Sequence, residues 1–268
     1  DNECVKPLFA IDSTGIFQKE IDQALIDKEV DFAVSSLKDI PTVEVAETTV
    51  AAIPIRASPH DVLISKGKVS LLQLRKNAVI GTGSLRRLAQ VKYLRHDIEV
   101  VPVRGNVDTR IRKIEQGEFD GIIVAEAGLQ RMGIVDTITE RFPLDVFPSA
   151  PGQGALAIIT RKDDKETIKF LQIIDNPQTR AEVTAERTLM FELGGGCRVP
   201  IGAVGRVTNN ILSLLGVLFT LDGQSRIEAT AQGTLAEAEK IGKQVAEKML
   251  QKGAKQIQDK WREKYGTW

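Results

Sequence analysis

One local pattern recurs three times between residues 78 and 131 and leaves little freedom in how the chain can fold. A short apolar stretch runs into a turn, and the turn runs into a helix with arginines near its start. In the first copy, residues 78–80 lead into Gly81-Thr82-Gly83-Ser84, and a helix over 85–94 carries Arg86 and Arg87. In the second, residues 98–103 lead into Arg104-Gly105-Asn106 and a helix with Arg110, Arg112 and Lys113. In the third, residues 121–125 lead into Glu126-Ala127-Gly128-Leu129-Gln130-Arg131. Apolar strands alternating with helices predict an α/β fold with a parallel sheet. Ligands of such sheets bind beyond the carboxyl ends of the strands, so all three turns face one crevice.

Charge singles out the same region. Over its 268 residues the chain has 36 basic and 36 acidic side chains, a net charge of zero. That balance argues against bulk binding to nucleic acid or membrane, so an anion site must be a local concentration of arginine. Between Thr82 and Lys113 lie Arg86, Arg87, Lys92, Arg95, Arg104, Arg110, Arg112 and Lys113, against only Asp97, Glu99 and Asp108. Arg86, Arg87, Arg104, Arg110 and Arg131 stand at or just after strand-to-helix turns, where free backbone N–H groups also attract anions. Guanidinium forks grip carboxylates bidentately, which points to a ligand with several carboxylates or phosphates. The competing reading is a solvated basic helix face, to which Lys92 and Lys113 belong. Gly81-Thr82-Gly83-Ser84 fits neither GK[ST] nor GxGxxG and is a weak phosphate motif by itself.

On the N-terminal side, Phe17, Ile21, Ala24 and Leu25 recur at helical spacing, and residues 30–34 read as a strand. Ser35 and Pro41 break it and leave Lys38 and Asp39 on a loop beyond its end. Asp39 there is either an acid/base or cation-steadying carboxylate, or a turn residue before a proline. Residues 48–55 and 62–65 are further strands. Beyond the repeats, Ala150-Pro151-Gly152-Gln153-Gly154-Ala155 is a hinge candidate, followed by a strand over 156–160 and a helix to about residue 174. Pro177 and Thr179 open another helix. From there the grammar changes: strands over 199–207, 211–221 and 226–232, with Asp222-Gly223 as a hairpin turn, precede an amphipathic helix over 235–251. That is a small α+β domain.

The preceding helix runs into Gly194-Gly195-Gly196-Cys197-Arg198-Val199-Pro200. A thiol on such a loop, beside a fixed positive charge, is biased toward thiolate. Taken alone, a buried structural cysteine behind a glycine C-cap is the commoner case. The other cysteine is Cys4, and the histidines are His60 and His96. Neither a zinc pattern nor a disulfide framework can be built from these, so no metal is expected. A lone thiol stays reduced in the cytoplasm, the expected compartment, and no apolar run is long enough for a membrane span.

Six motifs then fall into one order: Ser36-Leu37-Lys38-Asp39-Ile40-Pro41, GTGSLRR over 81–87, RGNVDTR over 104–110, AGLQRMG over 127–133, GQGA over 152–155 and GGCRVP over 195–200. Together they resemble the porphobilinogen deaminase (hydroxymethylbilane synthase) family across essentially the whole chain. The resemblance implies two interleaved lobes of the periplasmic-binding-protein kind plus a small α+β C-terminal domain. The lobes would be 1–54 with 155–172, and 60–148, with 177–268 as the third domain. It implies a transferase of porphyrin and heme biosynthesis that joins four porphobilinogens, releasing ammonia each time, into a linear tetrapyrrole. The product grows on a dipyrromethane cofactor, thioether-linked at the position of Cys197. Asp39 matches the catalytic aspartate, which also contacts the cofactor. Lys38, Thr82, Ser84, Arg86 and Arg87 match cofactor-binding positions, and Arg104, Arg110 and Arg131 substrate-binding ones. A monomer without nucleic-acid or membrane partners is expected.

The chain also departs from the family pattern. The Thr-Arg-x-Ser motif on the family's opening strand and helix has no counterpart after Asp1. The first lobe's parallel sheet is therefore expected to have an open edge beside Phe32 and Val34. Ala10 and Thr14 stand where lysines are common, Ser35 replaces a histidine, Gly83 a serine and Pro151 a valine. Without Cys197 and the third domain, the alternative is a non-enzymatic two-lobed binding protein for an anionic solute.

Overall fold

A computed structural model describes residues 16–42, 45–194 and 200–266. Cys4, Ala10, Thr14 and Cys197 lie outside the described residues. In chain order the first elements are α1 (Ile16–Ile26), β1 (Phe32–Ser36), β2 (Thr48–Ala52) and β3 (Asp61–Ser65). The three repeats follow as β4 (Val79–Gly81) with α2 (Leu85–Leu94), β5 (Glu99–Val101) with α3 (Val107–Glu115), and β6 (Gly121–Ala125) with α4 (Glu126–Met132). After β7 (Glu140–Arg141) come β8 (Leu156–Arg161), α5 (Lys165–Leu171) and the long α6 (Pro177–Glu192). The chain ends with β9 (Ile201–Thr208), β10 (Ile211–Phe219), β11 (Arg226–Thr234), α7 (Ala238–Gln251) and α8 (Ala254–Tyr265).

The strands form two α/β lobes, which the chain visits in alternation, and a C-terminal α+β domain. The larger lobe has the order β5-β4-β6-β3-β7. Its three repeats are parallel, as their grammar predicts, whereas β3 runs antiparallel to both β6 and β7. Apolar cores lie against this sheet, one around Ile80, Ile98 and Ile123, the other around Ile122, Val124 and Leu129. The sheet is buried on both faces, so its strands read as continuous apolar runs.

The smaller sheet, β1-β8-β2, corrects an expectation. Both outer strands run antiparallel to β8, because β8 is the return pass of the chain from the other lobe. Among the described residues β1 pairs with β8 alone, and Phe32 and Val34 are 46% and 54% exposed.

The C-terminal meander β9-β10-β11 is antiparallel throughout and packs against α6 and α7. Helix α8 was not expected from the sequence. It starts at Gly253, whose φ of +93° breaks it from α7. Its fully buried Trp261 donates from Nε1 to the Phe219 carbonyl at 2.9 Å. Trp261 and Phe219 also meet Leu85 and Ala89 of α2, so an apolar contact joins the C-terminal domain to the larger lobe.

The chain passes between lobes at residues 53–60 and 148–155, and these passes touch at Gly154. Its φ is +88°, and a Cβ there would lie 2.5 Å from the Ala57 carbonyl oxygen and 2.7 Å from that of Ser58. Gly154→Ala is expected to cost about 2–5 kcal/mol, adding backbone strain to a clash with main chain. Gly117 also has positive φ (+79°), but a Cβ there would meet no atom within 4 Å, so Gly117→Ala should cost about 1 kcal/mol. Urea midpoints of the two variants check this; equal losses would remove the crossing from the explanation.

Candidate active site

Asp39 is placed by a turn with a buried base. β1 ends at Ser36 and the chain tightens into a 3-10 turn, Leu37–Asp39. The Leu37 side chain is 1% exposed in the smaller lobe's core, and its N–H donates to the Ala155 carbonyl at 3.1 Å. Lys38 and Asp39 are thereby carried forward, and the Asp39 side chain is exposed.

The facing wall is the turn from β4 to α2. Ser84 is the N-cap of α2 and accepts from the Arg87 N–H at 3.4 Å. The buried Thr82 hydroxyl accepts from the Ser84 N–H at 3.3 Å. Capping fixes the first turn of α2 and so the direction of Arg86 and Arg87.

Both arginines are almost wholly buried, and both converge on Asp61, the first residue of β3, which has no solvent exposure. Arg86 Nη1 lies 2.7 Å from Asp61 Oδ2, and Arg87 Nη2 lies 2.7 Å from Oδ1 with Nε at 3.0 Å. Arg87 also donates to the Ile123 carbonyl at 3.0 Å and Arg86 to the Pro148 carbonyl at 2.7 Å. Burial alone would push the Asp61 carboxyl up; the two guanidinium charges and their hydrogen bonds outweigh it and hold it well below the usual carboxylate range. Gln153 from the hinge completes the cluster, its Nε2 donating to Asp61 Oδ1 at 3.0 Å.

These groups line a cleft of about 160 Å³ between the lobes, with Lys38, Asp39, Ser84, Arg86, Arg87 and Gln153 on its polar side and Met190 and Ile201 from the C-terminal domain on its apolar side. Pro151 is also in the wall. Burial lowers the pKa of Lys38, and the Arg87 charge lowers it further, against the opposing pull of Asp39. Arg110 is likewise lowered, first by burial and then by Arg87, so it stands within electrostatic reach of this wall. The cleft thus carries a positive excess, Lys38, Arg86 and Arg87 against Asp39 and Asp61.

Of the residues picked out from the sequence, the cleft brings together Lys38, Asp39, Ser84, Arg86 and Arg87, with Thr82 in the turn behind them. Arg104 is half-buried after β5, and Arg110 donates from Nε to the Gly105 carbonyl at 2.8 Å. Arg131, exposed at the far end of α4, donates to the Gly154 carbonyl at 3.0 Å and so touches the hinge. Asp61 was missed. Its signal was available: an acid opening the apolar run Val62-Leu63-Ile64 must meet a cation once that strand is buried. Among the described residues no group of three or more His, Cys, Asp or Glu could hold a metal ion, and no helix is long and apolar enough to cross a membrane.

Two family models match the chain. One, described as porphobilinogen deaminase, dipyrromethane cofactor binding domain, covers residues 1–169, and one described as porphobilinogen deaminase, C-terminal domain, covers residues 180–251. The chain belongs to the porphobilinogen deaminase family. Porphobilinogen deaminase of Desulforudis audaxviator is 44% identical over 257 residues, 96% of this chain and 83% of that relative. That of Brevibacillus brevis is 45% identical over 248 residues, 92% of this chain and 80% of the relative. Among solved structures, an arginine-specific periplasmic binding protein of Salmonella typhimurium covers 57% of this chain and 67% of its own at 16% identity, with a TM-score of 0.33. The family makes the chain an enzyme and gives it a dipyrromethane cofactor, which overturns the solute-receptor alternative.

The residues present fit that cofactor. Arg86 Nε is buried without a hydrogen-bond partner among the described residues, and it belongs to a side chain in the cleft wall. A donor left over beside a positive excess suits a group that carries carboxylates.

Asp61→Asn removes the anion between two buried guanidiniums and should cost about 3–5 kcal/mol at neutral pH. A carboxyl held low in the folded state stabilises it above the ordinary carboxyl pKa of about 4, and that contribution fades as pH falls through the folded value. Thermal melts of wild type and variant should therefore differ by a constant gap down to about pH 5 and converge in stronger acid. A gap that persists unchanged to about pH 2 would contradict the assignment.

Proposed function

We propose that the chain joins four porphobilinogen molecules, with loss of one ammonia each, into the linear tetrapyrrole hydroxymethylbilane. The observation that carries the mechanism is the exposed Asp39 carboxylate standing in an otherwise cationic cleft. When bound, the dipyrromethane supplies the pyrrole on which the product grows, and we assign its thioether to Cys197. Lys38, Thr82, Ser84, Arg86 and Arg87 hold its carboxylates; Arg104, Arg110 and Arg131 take those of the incoming substrate. The domain division 1–54 with 155–172, 60–148 and 177–268 belongs to the same reading. So does a cytoplasmic monomer without nucleic-acid or membrane partners; a reducing compartment suits the free thiol that must first be alkylated.

Ammonia leaves porphobilinogen with the electron pair of its C–N bond, and a positive charge spreads over the pyrrole. Lys38 and Arg87 repel that charge. Asp61 cannot offset it, being already bonded to two arginines inside the wall. Among the described residues lining the cleft, Asp39 alone has a carboxylate open to solvent and free to approach a ring N–H, an electrostatic role of the kind that dominates many enzymes.

Asp39→Asn keeps size and part of the hydrogen bonding, and should lose at least about 10²-fold in turnover; Asp39→Glu should retain some activity. Near wild-type turnover of Asp39→Asn would hand the role to another acid. For the cofactor, intact mass should exceed the polypeptide by two porphobilinogens less two ammonias, and Cys197→Ser should abolish the excess. An adduct on Cys4 would move the attachment. Arg104→Leu or Arg110→Leu should each weaken substrate handling by about 1.5–3 kcal/mol with the fold intact. Unchanged turnover in both returns them to a solvated face.

A further inference from the structure

We propose that Arg187 is a positioning residue for this reaction, acting on it by holding the turn that carries Asp39. The inference rests on the reading of Asp39 given above. No hydrogen bond among the described residues ties down the Asp39 carboxylate, so its place in the cleft is set by the backbone beneath it. The entry to that turn is anchored within the smaller lobe. Leu37 is buried and bonded to Ala155, and its side chain lies 3.2 Å from where a Cβ on Gly152 would stand.

The exit is anchored from another domain. Arg187 reaches across from α6 and donates from Nη1 to the carbonyls of Leu37 at 3.2 Å and Ile40 at 3.0 Å, and from Nη2 to that of Pro41 at 2.7 Å. These carbonyls bracket Asp39 on both sides. Pro41 has no N–H to bond a neighbouring strand and is exposed. The turn closes on itself through the Ile40 N–H, which donates to the Leu37 carbonyl at 3.3 Å, and the fork of one guanidinium ties that turn and Pro41 to α6. Its own base is rigid, because the preceding residue, Glu186, is fully buried and hydrogen-bonded. A lysine ammonium has no planar fork with which to span three acceptors.

Misplacing a reacting group by about 1 Å can cost about 10²-fold, so a turn loosened on one side should lose about tenfold. Arg187→Met is expected to lower kcat about tenfold, with KM for porphobilinogen within about twofold and the cofactor mass unchanged. Arg187→Lys should recover part of the loss. The deciding measurement is a double-mutant cycle with Asp39→Asn. In that background Arg187→Met should cost less than about twofold more, since the carboxylate it positions is gone. A repeat of the full tenfold loss there, with Asp39→Asn itself crippled, overturns the inference and leaves the role of Asp39 standing. Near wild-type activity of Asp39→Asn alone overturns both. If Arg187→Met does not fold, Arg187→Lys enters the same cycle and is read the same way.

Discussion

The carboxylate of Glu186 is the point from which the relation of the three domains follows. It is fully buried on α6, and four donors fill its two oxygens. Arg56 grips it bidentately at 2.7 and 3.0 Å, the Gly152 N–H reaches one oxygen at 2.7 Å, and the Gly205 N–H reaches the other at 2.8 Å. Arg56 belongs to the outgoing pass between lobes, Gly152 to the return pass, and Gly205 to the C-terminal sheet. A buried ion pair gains little net energy when set against its desolvation, but removing one partner leaves an uncompensated charge, a cost of about 3–5 kcal/mol. The pair is therefore better understood as a device that specifies one arrangement of three chain segments than as a source of stability.

Glu186 and Asp61 are not independent. Gln153 lies between them: its carbonyl accepts from Arg56 Nε at 2.8 Å, and its side-chain amide donates to Asp61 and, at 2.7 Å, to the Pro59 carbonyl. A continuous polar network runs from the C-terminal domain through the hinge to the arginines of the cleft. Partly satisfied networks of this kind are costly, and fully satisfied ones impose a unique geometry. Any opening of the lobes has to occur around this network, because the two crossing passes are bonded to each other within it.

What could be read from the sequence divides along sequence separation. The three strand–turn–helix repeats, the hairpin at Gly223 and the turn carrying Lys38 and Asp39 were legible because each is specified by residues close together in the chain. Helix α8 was not, because only Ala254, Ile257, Trp261 and Tyr265 mark its apolar face among polar and charged neighbours. The antiparallel course of β8 was not, since strand direction depends on where the chain has been and not on the strand's own residues. Arg56 with Glu186, 130 positions apart, and Arg87 with Asp61, 26 apart, leave no local periodicity at all. The family resemblance carried Arg86 and Arg87 to the cleft but gave no sign of the carboxylate that occupies them.

That occupancy changes how the cleft's charge should be understood. Asp39 and Asp61 are the same residue type put to opposite uses: one exposed without a hydrogen bond among the described residues, the other sealed between guanidiniums. Sealing Asp61 lets two arginines be buried, and so held rigid, without emptying the cleft of positive potential. Lys38 and Arg110 are lowered first by burial, and the Arg87 charge adds to that in both. A ligand rich in carboxylates is thus drawn to a surface whose cations are braced from behind. One untethered anion is left in front, the kind of group that can meet a positive charge appearing on a ring already held there.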